Sequence, residues 1–418
     1  MGWAQKPLTA KATEPDAILI GLDLNATRAR AVHGLSQVTP RPLPLEGSHE
    51  DLPMVLSLES RRPHVGRAGA SLCRLSPHLV CLDFLASLGE RREWVVRRHR
   101  IDAGRAVASV FEHLQATCAG AKGVVLALPA YLTRAQAVLL GPLAEKAKLP
   151  LLGSLALPLA STFAAHSLEP MTGTALVIDA DDHALTGSLV VADDEQMWIQ
   201  ATQSWPHLNL RAWKGRLLDV VADRCIRQSR RDPRDSPSAE QSLYEQLEDA
   251  LVVSGQGRIV ELLIQTTNWY QNLLIRPEEM TAACEPLVHQ SLTEIRGLLN
   301  ATPVRDSLRV VLVTPGPGRL PGLVAALQEL VGELSPRQES DPSDDFGEDL
   351  LATNNGPMRV TVLAADAVGQ AAHQLAARIY RGELPHGHLD LALPLQRADS
   401  QAAAGKKTFR LFGAEPEP

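Results

Sequence analysis

The apolar residues of this chain fall into short unbroken runs and helical stripes, and their order predicts an α/β protein. The run from Ala17 to Leu24 is interrupted only by Gly21 and by Asp23 near its end, and polar Asn25 to Thr27 separate it from Ala31-Val32. That pattern predicts a strand, a tight turn and a returning strand. A second copy lies 156 residues on: Ala175 to Asp179, a polar turn at Asp181-Asp182-His183, then Ser188 to Val191. Two such hairpins, each with an acid at the end of its first strand, predict a duplicated α/β half. After the first hairpin the pattern gives strands around Met54 to Leu58, a helix from Asp102 to about Cys118, and a buried strand from Val124 to Leu128. A helix through Ala137, Leu140, Leu143 and Ala144 follows, and another from Pro158 to His166. After the second hairpin, helices are predicted near Ala212 to Cys225, Ala239 to Val253 and Met280 to Leu299, with a buried strand from Arg309 to Val313. A strand from Met358 to Leu363 and a helix from Ala367 to Arg381 close the globular part.

Polar stretches divide these segments. Residues 1–15 read as a loose tail, 227–241 as a polar surface loop, and 332–356 as an acidic insertion carrying Glu339, Asp341, Asp344, Asp345, Glu348 and Asp349. That insertion is expected to be solvated rather than a docking site for a basic partner. The domain expectation is a first lobe over 16–170, completed by the helix at about 364–383, a second lobe over 171–363, and a linker-like tail over 384–418, in which Leu389 to Leu393 is left open between an added strand along the lobes and a disordered tail. The tail ends in a basic-aromatic stretch, Lys406 to Phe412, read as a free terminus. Arg91 to Arg100, the densest basic run, reads as a solvated helix face, and the His386/His388 pair as solvated side chains.

Composition narrows the function classes. With 418 residues, 45% apolar and 21% charged, the chain can bury a large core. Its net charge of −7 argues against a nucleic-acid partner, which needs clustered Lys and Arg. Its 5 cysteines show no C-x-x-C spacing, so neither structural zinc nor a disulfide framework is expected. No apolar run is long enough to span a bilayer. The expectation is a soluble cytoplasmic protein.

Leu128-Pro129-Ala130-Tyr131-Leu132-Thr133-Arg134-Ala135-Gln136 closely resembles the V-P-A-Y-F-N-D-A-Q of the DnaK-type seventy-kilodalton heat-shock chaperones. Further matches fall in the same order. Gly21-Leu22-Asp23-Leu24 with Thr27 is similar to G-I-D-L-G-T-T, and Gly316 with Arg319-Leu320-Pro321 is similar to G-G-S-T-R-I-P. Pro53-Met54-Val55, Val65-Gly66, and Ala367-Val368 with Ala371-Ala372 also fit. The resemblance covers about residues 16–383 and implies a two-lobed actin-like ATPase fold built from two duplicated ribonuclease-H-like halves. It also implies a cleft for ATP or ADP with Mg2+, whose vestigial binding residues are Asp23, Asn25, Thr27, Asp179, Gly316 and Arg319. Asp23 and Asp179 are the metal candidates, although two acids at strand ends also serve as plain turn caps. No counterpart of the family's peptide-gripping domain is expected.

The departures carry the functional argument. The family's second phosphate loop, D-L-G-G-G-T-F-D, reads Asp179-Ala180-Asp181-Asp182-His183-Ala184-Leu185-Thr186 here. Glycines let successive backbone N–H groups close on an anion, and all are gone. A carboxylate about 4 Å from a phosphate charge costs on the order of 4 kcal/mol at an effective dielectric near 20. The first loop, G-T-T-N, becomes Asn25-Ala26-Thr27-Arg28. The family's catalytic lysine and glutamate positions fall on Leu85 and Leu157, which can neither orient water nor stabilise phosphoryl charge. On the base side, G-G-E-D-F maps to Asn209 to Trp213 and E-R-A-K-R to Glu248 to Val252. The leading expectation is a pseudo-ATPase serving as an interaction or regulatory module, with a protein partner. The turn from Asp181 to Ala184 is then expected to obstruct the phosphate position. The alternative is an active ATPase using Asp181, Asp182 or His183 for metal and Arg28 or Arg319 for phosphate.

Overall fold

The computed structural model describes residues 17–96, 99–265, 269–303, 307–334 and 358–395. The tail over 1–15, almost all of the acidic insertion, and the Lys406 to Phe412 stretch lie outside the described residues.

The first half opens with β1 (Ile18–Leu24), β2 (Arg28–Leu35), β3 (Arg41–Leu43) and β4 (Asp51–Pro53). The short elements β5 (Leu56–Ser57), β6 (His64–Val65), α1 (Arg67–Ala70), β7 (Val80–Cys81), β8 (Glu93–Val96) and β9 (His99–Asp102) follow. Then come α2 (Ala103–Thr117), β10 (Gly123–Leu128), α3 (Arg134–Lys146), β11 (Leu151–Ala156) and α4 (Leu157–Leu168). The second half begins with β12 (Gly173–Ala180), β13 (Leu185–Ala192), β14 (Gln196–Trp205), α5 (Leu210–Ser229) and α6 (Pro237–Gly255). It continues through β15 (Val260–Gln265), β16 (Tyr270–Ile275), α7 (Pro277–Ala301), β17 (Leu308–Val313), α8 (Leu323–Leu334) and β18 (Arg359–Val362). The described chain ends in α9 (Ala367–Tyr380), β19 (Gly387–Leu389) and β20 (Ala392–Pro394).

The two large sheets share one plan. In the first, β3-β2-β1-β10-β11 run in that order; in the second, β14-β13-β12-β17-β18 do. In each, the opening strand pairs antiparallel with its hairpin partner and parallel with the strand on its other side. The duplication expected from the two hairpins is therefore present in strand order and direction. The central strands are covered on both faces, which is why β1 and β12 read as near-continuous apolar runs. Ile20, Leu22 and Leu24 face a core with α2 and α3, while Leu176 and Ile178 face one with α5, α7 and α8. Between the sheets, α4 and α9 pack on each other, and Leu19, Val125, Ala175, Val177 and Leu312 meet Leu159, Ala160, Ala371 and Leu375 there. A Cβ at Gly21 would lie 2.0 Å from the Gly369 carbonyl oxygen, so only glycine lets α9 lie this close to β1.

Three expectations change. The basic run from Arg91 to Arg100 is not a helix face: β8 and β9 pair antiparallel there, with Trp94 opposite Ile101. Trp94, Val96 and Ile101 face the first core, so the period is two, with Val95 and Arg100 opposite each other on the exposed face. The span 227–241 is not one loop. Arg230, at φ 56, ends α5, and α6 starts at Pro237 behind its N-cap Ser236. The helices absorb both ends of that polar stretch, and Gln241 is buried. The third change concerns 384–418, whose part up to Pro394 is not a tail. β19 adds parallel to β11 on the first sheet and β20 antiparallel to β14 on the second, so one strap braces both. Leu393 is fully buried, and the His388 ring nitrogen lies 2.8 Å from the Ser154 hydroxyl rather than in solvent.

Candidate functional site

The C-terminal ends of β1 and β12 meet at a cavity of about 820 Å³. All six residues assigned from the resemblance line it: Asp23, Asn25, Thr27, Asp179, Gly316 and Arg319. Leu157 also lines it, at the start of α4. Leu85 does not; it is sealed into the first-half core beside Phe84 and Leu88.

The two hairpin turns form one interlocked unit. Asn25 accepts hydrogen bonds on its side-chain oxygen from the N–H groups of Thr27 and Arg28, each at 3.0 Å, and its own N–H donates to the Arg28 carbonyl at 3.0 Å. The Ala26 N–H crosses to the other half and donates to Asp181 Oδ2 at 2.9 Å. Asp181 Oδ1 accepts from the N–H groups of His183 at 2.8 Å and Ala184 at 3.0 Å. Asp182 donates its N–H to Thr27 Oγ1 at 2.8 Å, and Asp181 its N–H to the Ala184 carbonyl at 3.1 Å. Every backbone N–H from Asn25 to Arg28 and from Asp181 to Ala184 is therefore engaged within the chain. Tyr131 completes the ring around the Asp181 carboxylate by donating its hydroxyl at 2.6 Å. These donors converge on an anion, and the anion is the protein's own side chain. The turns do not fit a bound phosphate.

Buried acids crowd this floor. Burial pushes Asp179 up to about 7, and neighbouring Asp181 adds to it, while the hydrogen bond from Thr314, at 2.6 Å, pulls the other way. Asp23 is raised first by burial, against the pull of Arg28, whose guanidinium stands 3.6 Å away. Asp181 is raised by burial despite its donors. Asp181, Asp182 and His183 do not point at one centre. Asp181 faces Ala26 and Tyr131, Asp182 lies 3.4 Å from Arg211, and His183 contacts Asp83 at 3.1 Å. Among the described residues, no group of three or more His, Cys, Asp or Glu side chains is placed to hold a metal ion.

No protein-family model and no curated protein matches this chain.

The remaining wall comes from α5 and α6. Asn209 caps α5 by accepting from the Ala212 N–H at 2.8 Å, which turns Arg211 and Lys214 toward the cavity. Glu248 of α6 pairs with Lys214 and, at 3.6 Å, with Arg319. Burial works against the Lys214 charge, but Asp182 and Glu248 outweigh it and raise its pKa. Arg319 also donates to the Pro315 carbonyl at 3.1 Å. Arg28 is held between Asp23 and Asp51, and Arg74 lies 3.3 Å from Glu240. Each of these cavity cations already has an acid of this chain beside it. Gly316 has a packing reason to be glycine, because a Cβ there would stand 2.6 Å from the Ala180 carbonyl oxygen.

The six residues drawn from the resemblance line one cavity, and Tyr131, Gln241, Arg211, Lys214 and Tyr244 were not among them. Only Tyr131 carried a signal, inside the Pro129-Ala130-Tyr131 segment. Thr133 and Gln136 of that segment form a capping box that starts α3.

Proposed function

We propose that this protein is a two-lobed, actin-like member of the heat-shock-chaperone ATPase lineage that has given up nucleotide hydrolysis and tight phosphate binding and serves as an interaction or regulatory module. The supporting observation is the Asp181 carboxylate, held by Ala26, His183, Ala184 and Tyr131 where the two hairpin turns converge. A phosphate entering there has to displace a buried anion and break its hydrogen bonds. It also meets no free N–H in either turn and cations already paired with acids. The duplicated sheet order supports the fold assignment, and the buried Leu85 and Leu157 leave the lysine and glutamate positions without polar chemistry. Free cysteines fit a reducing, cytoplasmic setting. A protein partner is the remaining use for a domain of this kind, since its cleft is internally satisfied. The purified chain incubated with MgATP, alone and with captured partners, should release phosphate at the background rate. Release above background that disappears in Asp179→Asn would overturn the proposal in favour of a rearranged ATPase site.

A further inference from the structure

The satisfied groups of the cavity are its turn N–H donors and its cations; two side-chain atoms on its floor differ from them. Asn25 accepts on its side-chain oxygen from the N–H groups of Thr27 and Arg28, each at 3.0 Å, which leaves its amide nitrogen facing the cavity. Asp179 accepts on one oxygen from the Thr314 hydroxyl at 2.6 Å, which leaves its second oxygen facing the same space. Among the described residues neither atom has a hydrogen-bond partner, although Asn25 is only 6% exposed and Asp179 only 8%. Buried polar groups are normally paired. A fixed donor and a fixed acceptor, one from each half and both opening only into the cavity, therefore suit a polar ligand.

The rest of the floor selects that ligand's charge. Asp23 and Asp182 also line the cavity, and each keeps one carboxylate oxygen without a hydrogen bond among the described residues. An anion there meets surplus acceptors, and the basic side chains that could answer it already stand beside acids of this chain. A ligand cation competes with those same side chains for the acids. An uncharged ligand meets neither obstacle, and Pro53, Leu157 and Val368 offer apolar lining to its carbon skeleton. A hydroxyl suits both open atoms, because one oxygen can accept from the Asn25 amide while donating its proton to Asp179. We propose that the cavity is a binding site for a small uncharged polyol, held by Asn25 and Asp179. The proposal rests on the reading that the turns exclude phosphate, and it names what the cavity takes instead.

Isothermal titration of the native full chain with myo-inositol, D-glucose and D-mannitol tests it. At least one should give saturable heat with a Kd between micromolar and millimolar, whereas stabilisation by exclusion from the protein surface gives none. Asn25→Asp keeps the oxygen that accepts from Thr27 and Arg28 and loses the amide donor. Asp179→Asn keeps an acceptor for Thr314 and replaces the second oxygen with a donor. Each should weaken binding about tenfold, the equivalent of about one net hydrogen bond, and either carries the test where the other fails to fold. No saturable heat from any of the three polyols would overturn the proposal, as would an affinity within about twofold of wild type in a folded variant. Acetamide bound in preference to the polyols would overturn it in favour of an amide ligand. Saturable MgATP binding in a separate titration would overturn both the exclusion of phosphate and the choice of an uncharged ligand. Failure of the polyols alone leaves that exclusion standing.

Discussion

Asp181→Ala removes the acceptor on which both turns converge, and its cost follows from the hydrogen bonds counted above. The N–H groups of Ala26, His183 and Ala184 and the Tyr131 hydroxyl all lose their partner. At about 1–3 kcal/mol for each buried donor left unsatisfied, the gross loss is on the order of 4–12 kcal/mol. Two effects reduce it. The variant no longer desolvates a carboxylate that is 1% exposed, and water can fill the vacated space. A net destabilisation of about 3–5 kcal/mol, near the lower end of that gross range, is expected. Asp181→Asn should lose nearly as much, because an amide presents either an N–H to the Ala26 donor or one to His183 and Ala184. Urea unfolding followed by circular dichroism measures both. The vacated cradle should also accept a small anion, so formate or inorganic phosphate should raise the melting temperature of Asp181→Ala and leave wild type unchanged. A variant within about 1 kcal/mol of wild type, with no response to either anion, would refute the reasoning that these donors depend on Asp181.

Three further outcomes are expected. Asp179 takes up its proton near 7 in the folded chain against an ordinary value of 3.8, so the folded state holds a proton that the unfolded state releases across that window. Stability should therefore fall as pH rises from about 4 to about 7, by on the order of 4 kcal/mol in all, with Asp23 and Asp181 adding slope of the same sign. Asp179→Asn should flatten the profile in urea titrations at stepped pH, and an unchanged profile would contradict the assignment. Leu85→Lys, which sets a lysine where the resembled family carries one, should produce no phosphate release and should destabilise by several kcal/mol, since it buries an unpaired ammonium in an apolar core. Leu393→Ala should cost about 2–4 kcal/mol by emptying a fully buried position in the core between the sheets, with faster proteolysis of the strap as the second readout.

The parts that were legible in sequence are those set by local pattern. Asp102 accepts from the Arg105 N–H at 2.7 Å and starts α2 where a capping residue predicted it, and both hairpins follow from apolar runs broken by short polar turns. Charge hid the β8–β9 hairpin, because arginines obscured the alternation of Trp94, Val96 and Ile101. Ser236 and Pro237 were readable as a helix start within the polar stretch before α6, yet composition outweighed them. The candidate site was legible as a set of residues, since all six line one cavity. Its chemistry was not, because it depends on contacts such as Ala26 to Asp181, 155 residues apart in sequence. The second turn lacks the glycines that the resemblance implies, which marked it as different; only the geometry shows that Asp181 turns inward to take the donors itself. For a similar reason sequence left Leu389 to Leu393 open between an added strand and a free tail: the two short strands of the strap exist only by pairing with sheet edges already in place.

Isothermal titration of the purified chain with MgATP is the most direct test of the central claim. The account predicts no saturable heat up to millimolar nucleotide, because the turns offer no free N–H and Asp181 fills their centre. Saturable binding with a micromolar Kd would contradict it.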